Sequence, residues 1–81
     1  TDVAPFVIFP NPFSSTFTIQ SFMDEGEKQV ALYDLSGKLI YEDKFTGFNA
    51  SLELNAISSG IYFIRIIDQT GKIYKQKLIK N

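Results

Sequence analysis

The sequence contains no cysteine, no histidine and no tryptophan. Without cysteine there is no disulfide framework and no thiolate metal site, so a small fold must hold by packing and strand pairing alone. An oxidising compartment is not excluded; the fold simply does not depend on one. Without histidine the commonest general base and the commonest metal ligand are gone. The scattered serines have no imidazole to activate them, and no glycine-rich phosphate loop is present. The adjacent acids Glu42 and Asp43 would project to opposite faces of a strand and cannot work as a pair. An enzyme is therefore not expected, and neither is a cofactor. Without tryptophan, a sugar-binding platform would have to be built from Tyr or Phe. No apolar run approaches the roughly 18–20 residues that span a bilayer. The chain does not begin with Met and opens on no basic-then-apolar leader, which reads as a segment of a longer protein.

What is present is aromatic and aliphatic. Hydrophobic residues make up 44% of the 81 and charged residues 21%, with eight Phe and four Tyr. That balance fits one small globular domain in which large rings supply much of the buried area. The net charge of −1 hides an uneven spread. Residues 1–64 carry three basic and eight acidic side chains, whereas Arg65, Lys72, Lys75, Lys77 and Lys80 face a single acid, Asp68, in the remainder. The final stretch is a basic strand on an acidic body.

Along the chain, residues 1–5 read as the end of a linker and 6–81 as the domain. Phe6–Phe9 suits a short strand, stopped by Pro10-Asn11-Pro12, whose prolines cannot donate to a ladder. Ser15–Ser21 alternates, with Phe17 and Ile19 on one face. After the polar turn around Asp24, Glu25 and Glu27, Gln29–Leu35 alternates again, with Val30 and Leu32 set against Ala31 and Tyr33. Lys38–Phe45 returns, and Ser51–Leu54 follows with Leu52 and Leu54 on one side. Ile61–Ile67 places Tyr62, Ile64 and Ile66 opposite Phe63, Arg65 and Ile67. Lys72–Lys80 ends the chain. Two turns share the pattern Asp-x-(Ser/Thr)-Gly-Lys: Asp34 to Lys38, with Gly37, and Asp68 to Lys72, with Gly71. In each, Asp bonds its own backbone and Gly supplies a positive φ, closing a bulged hairpin. Seven short strands with regular turn signals and no helical period predict an all-β, immunoglobulin-like antiparallel β-sandwich, with a small closed barrel as the alternative.

Leu54-x-x-Ile57-x-x-Gly60-x-Tyr62 matches a sandwich corner in which a buried Tyr bonds backbone upstream through its hydroxyl, and Gly60 permits the turn before the strand. Tyr62 is read as architecture. Pro10-Asn11-Pro12 is read as a rigid entry into the fold. Calcium at Asp34, Asp68 or the Asp24 turn is disfavoured, because such a site needs six to eight oxygens. Lys75 and Lys77 lie on the same side of the last strand. They could guard an edge against aggregation or form a recognition strip; without interleaved aromatics or arginines they make a poor nucleic-acid site.

The order of Phe9-Pro10-Asn11-Pro12, Val30 to Lys38, Leu54 to Tyr62 and the terminal lysine strand is similar to the C-terminal sorting domain (type A) of the type IX secretion system of Bacteroidetes bacteria. The resemblance runs from about Ile8 to Asn81. It implies a signal that directs a cargo through an outer-membrane translocon, by way of the periplasm, to the cell surface or the medium. It also implies removal by a surface cysteine-peptidase sortase. The family's Pro-x-Pro element falls on Pro10 and Pro12, its Gly-x-Tyr element on Gly60 and Tyr62, and its lysine strand on Lys75, Lys77 and Lys80. With Lys72, those lysines are the expected recognition residues; Pro10, Asn11, Pro12, Asp34, Gly37, Leu54, Gly60, Tyr62, Asp68 and Gly71 are expected to fix shape. Self-association through the last strand is a further expectation. A carbohydrate-binding or adhesive sandwich is the competing function and needs a solvent-facing row from Phe45, Phe48 and Phe63. A spacer without a partner of its own is the third.

Overall fold

The computed structural model describes residues 6–22 and 26–81. The linker expected over residues 1–5, and Asp24 and Glu25 of the acidic turn, lie outside them. Seven strands follow in order: β1 (Phe6–Phe9), β2 (Thr16–Ser21), β3 (Lys28–Asp34), β4 (Leu39–Phe45), β5 (Asn49–Glu53), β6 (Gly60–Ile67) and β7 (Ile73–Lys80). They make two antiparallel sheets, β1-β2-β5 and β4-β3-β6-β7, rather than one closed barrel. The fold is therefore the immunoglobulin-like β-sandwich that the strand count predicts.

The alternation read from the sequence decides which side chains meet between the sheets. Phe6, Ile8, Phe17, Ile19 and Leu52 come from one sheet; Val30, Leu32, Tyr62, Ile64, Ile66 and Leu78 come from the other. Phe13 and Leu54 join them from the connections, giving thirteen buried side chains in one cluster. Phe13 and Phe17 meet edge to face with ring centroids 5.0 Å apart, the arrangement their quadrupoles favour. The edge strand β4 buries no residue fully, and Ile40, Tyr41 and Phe45 only lean on the cluster.

Lys28 carries a positive charge into the interior. It has the inward parity of Val30 and Leu32 and is 1% exposed. Its Nζ donates to the carbonyls of Gly26 (2.7 Å) and Gly47 (3.1 Å) and lies 5.3 Å from the Phe45 ring centroid. A buried ammonium is tolerable only when such acceptors replace its water. Here it ties the β2–β3 and β4–β5 turns together at one end of the sandwich.

The two Asp-x-(Ser/Thr)-Gly-Lys turns are copies in detail. Asp34 Oδ1 accepts from Ser36 N–H (2.9 Å), Ser36 O–H (2.6 Å) and Lys38 N–H (3.0 Å). Asp68 Oδ1 accepts from Thr70 N–H (2.9 Å), Thr70 O–H (2.6 Å) and Lys72 N–H (3.0 Å). Gly37 and Gly71 sit at φ 88° and 89°, a region that a side chain makes costly. Both carboxyls are held below the ordinary aspartate value of 3.8, first by the Ser36 or Thr70 hydroxyl and further by the turn's N–H groups.

Two outcomes follow from this packing. Phe17→Ala is expected to cost about 3–5 kcal/mol in urea unfolding, a large share of the roughly 5–15 kcal/mol typical of such domains; a loss under 1 kcal/mol would contradict the core assignment. Because the folded pKa values of Asp34 and Asp68 are depressed, their contribution is complete above about 3.8 and is lost as pH falls through the folded values. The D34N/D68N double variant should flatten the acid limb of the stability curve, and an unchanged slope would count against the turn bonds as its source.

Candidate recognition site

The Pro10-Asn11-Pro12 segment meets the last strand. Among the described strands β7 lies at the edge of its sheet, next to β6. In an antiparallel ladder every second residue turns its backbone groups outward, here at positions 77, 79 and 81. Those groups are taken by the segment after β1. The Asn11 side chain donates from Nδ2 to the Lys77 carbonyl (3.1 Å) and accepts the Ile79 N–H at Oδ1 (2.9 Å). Phe13 N–H donates to the Ile79 carbonyl (2.9 Å), and Asn81 N–H donates to the Phe13 carbonyl (2.8 Å). Phe13 and Lys80 form a parallel bridge.

Pro10 and Pro12 hold Asn11 between two residues that lack an N–H, so the Asn11 side-chain amide does the pairing that a peptide group would do. Pro10-Asn11-Pro12 is thus a clamp on the far end of the chain as well as a rigid turn. The C-terminal half of the β7 edge is thereby occupied.

The corner residues hold the same region from the other side. Tyr62 is buried and donates its hydroxyl proton to the Ser58 carbonyl at 2.6 Å. Gly60 precedes it at φ 149° and pairs with Lys80. Leu54 is buried, and its N–H donates to the Ser15 carbonyl (2.7 Å).

The four lysines do not form one strip. Lys75 and Lys77 are exposed and share the outer face of the four-stranded sheet. Lys80 has the opposite parity and is half-buried beside Gly60 and Phe13. Lys72 lies in the turn with its Nζ 5.5 Å from the Tyr74 ring centroid, and that ring packs edge to face on Phe6.

What the lysines face could not be read from their own strand. β6 places Phe63 opposite Lys77 and Arg65 opposite Lys75; β3 places Tyr33 opposite Phe63 and Ala31 opposite Arg65. The lysines are therefore interleaved with aromatics and an arginine across the sheet, although not along the chain. The Arg65 guanidinium carbon lies 5.1 Å from the Tyr33 ring centroid. The three Phe of the carbohydrate reading do not form a row. Phe45 is half-buried under Lys28, Phe48 lies beyond β4 with its carbonyl bonded to Ser21 of β2, and Phe63 is on the outer face of the four-stranded sheet.

Comparison with known proteins gives a consistent result. A family model described as the secretion system C-terminal sorting domain matches residues 7–81. An endo-acting ulvan lyase of Formosa agariphila is 33% identical over 73 residues, covering 89% of this chain and 14% of that protein. Ulvan lyase NLR42 of Nonlabens ulvanivorans is 32% identical over 80 residues, covering 98% of this chain and 15% of that protein. The chain thus spans about one-seventh of these curated relatives. Among solved structures, a DUF3244 family protein with an immunoglobulin-like β-sandwich fold from Bacteroides vulgatus superposes with a TM-score of 0.80 at 12% identity, over 96% of this chain and 86% of that one. PorZ, a surface component of the type IX secretion system of Porphyromonas gingivalis, gives 0.71 at 19% identity, over 94% of this chain and 11% of that one. At these identities the two structures establish the fold.

The clamp makes a local prediction. Asn11→Ala removes both partners of β7 at once and is expected to cost about 1–3 kcal/mol. Hydrogen exchange at the Ile79 amide should accelerate more than at Leu32 in the centre of the sheet. Equal acceleration at both positions would show that Asn11 stabilises the domain without clamping the strand.

Proposed function

This chain belongs to the family of secretion system C-terminal sorting domains, and on that premise we propose that it is read as a folded unit by the outer-membrane translocon of the type IX system. In this reading a cargo fused to the domain crosses the periplasm and reaches the cell surface or the medium, and a surface cysteine-peptidase sortase removes the domain afterwards. The observation that carries the proposal is the family match over residues 7–81, nearly the whole fold. The family role is sorting, so catalysis belongs to the cargo. The lyase relatives, of which this chain matches only 14–15%, support an exported enzyme as the kind of cargo such a domain accompanies.

The geometry supports a signal read in the folded state. The clamp fixes β7 against the Pro10–Phe13 segment, so Lys75 and Lys77 are presented on a rigid strand. Basic side chains at one end of an otherwise acidic body would orient an approaching partner before contact.

Fusing residues 1–81 to a periplasmic reporter, in a host carrying this secretion system, is expected to place the reporter outside the cell. Retention of the fusion, while an established sorting domain exports the same reporter, would sink the proposal. The K75E/K77E variant should export several-fold less while melting at the same temperature. Unchanged export of that variant would return the two lysines to edge protection.

A further inference from the structure

The outer face of the four-stranded sheet combines cations and rings in a way that guarding an edge does not require. Edge protection needs charge on the edge strand itself. Arg65 and Phe63 are on β6, an interior strand with a neighbour on each side. Yet Phe63 remains 40% exposed, and Leu35, at the turn beyond β3, is 66% exposed. Together with Tyr33 and Lys75 they line an open groove of about 420 Å³.

The register fixes the pattern. One row across the sheet reads Tyr33, Phe63, Lys77, and the next reads Ala31, Arg65, Lys75. With strands about 4.8 Å apart, the three cations lie within one short peptide's reach of one another. Arg65 Nε has no exposed surface and no hydrogen-bond partner. Its guanidinium is set against Tyr33, which holds the planar fork in place. Among the described residues no carboxylate forms an ion pair with Arg65, Lys75 or Lys77. Glu42 lies in the Arg65 row on β4, beyond Ala31, and does not pair with it. Asp34 lines the groove, but its Oδ1 is taken by three donors of its own turn.

We propose that this face is a docking groove for an acidic, aromatic-bearing peptide segment of a partner protein, with Arg65, Lys75 and Lys77 pairing its carboxylates and Tyr33, Phe63 and Leu35 receiving its apolar side chains. The proposal rests on the sorting reading and names the chemistry that the reader of the signal presents. Charge complementarity selects the occupant. Three unpaired cations reject a basic segment, and a guanidinium fork matches a carboxylate with two parallel bonds. The rings and Leu35 favour a chain that carries apolar side chains between its acids. A nucleic acid would need a longer basic track than three cations in two rows.

The test is a nitrogen-15 NMR titration of this chain with a random Glu–Tyr copolymer. A Lys–Tyr copolymer, phosphatidylglycerol vesicles and an oligo-dT strand serve as the other arms. Amide shifts are expected at Tyr33, Phe63, Arg65, Lys75 and Lys77 with the Glu–Tyr probe alone. Arg65→Gln should weaken binding roughly tenfold, and K75Q/K77Q, on exposed positions, should weaken it comparably with the fold retained. Shifts elsewhere on the domain, wild-type affinity in both variants, or tighter binding of vesicles or oligo-dT would overturn the proposal. The export assay separates this inference from its premise. A wild-type chain that exports the reporter beside an Arg65→Gln chain that exports it equally well removes the groove and leaves the sorting role. A wild-type chain that fails to export removes the sorting role, and the titration still decides the groove.

Discussion

One long-range interaction joins the two ends of the fold: the side chain of Asn11 bound to the backbone of the final strand. Its two hydrogen bonds join residues 66 and 68 positions apart. They stand beside two backbone bonds from Phe13 that continue the same pairing. An 81-residue domain with no disulfide has few means of holding its chain ends. Here the entry segment lies along the exit strand and covers the outward N–H and C=O groups that an edge would leave to solvent or to another chain. Phe13 completes the arrangement by entering the core directly after the clamp, at 0% exposure and against Phe17. The first motif of the sequence and its last strand are two halves of one structural device.

That coupling changes what removal of the C-terminus means. β7 carries Leu78, a fully buried member of the core, and supplies the partners of Asn11 and Phe13. Without β7, the clamp, one core side chain and the outer neighbour of β6 are lost together. A truncation that stopped export would then report on folding as much as on recognition. Only substitutions that leave the backbone ladder intact, such as those at the outward Lys75 and Lys77, separate the two.

Local chemistry was legible in the sequence and cross-strand chemistry was not. Period-2 alternation placed Phe17, Ile19, Val30, Leu32, Tyr62, Ile64 and Ile66 correctly, because strand parity is a property of consecutive residues. The twin Asp turns and the Tyr62 corner were legible for the same reason: Asp34 and Tyr62 bond within four residues of themselves. Three features were hidden. Asn11 looked like part of a stiff turn because its partners lie far along the chain. Lys28 entered the charge sum as one basic group among others, yet its parity with Val30 was a signal that it points inward, where the Gly26 and Gly47 carbonyls accept from its ammonium. The third was the company of Lys75 and Lys77. Judged along β7 they lacked aromatics and arginine; Phe63, Arg65 and Tyr33 come from other strands, and a register shift of one residue would have put them on the opposite face.

The same parity rule bears on how a lysine-bearing end can carry information. In an extended, unfolded peptide Lys72, Lys75, Lys77 and Lys80 would all be accessible, and a reader could count them. In the folded domain they are sorted by position: Lys75 and Lys77 share a face with Arg65, Lys80 turns toward Phe13, and Lys72 sits over Tyr74. Under the proposed sorting role, a reader of the folded state would meet a two-dimensional pattern drawn from three strands. In that role, folding would supply the specificity that a short run of lysines lacks.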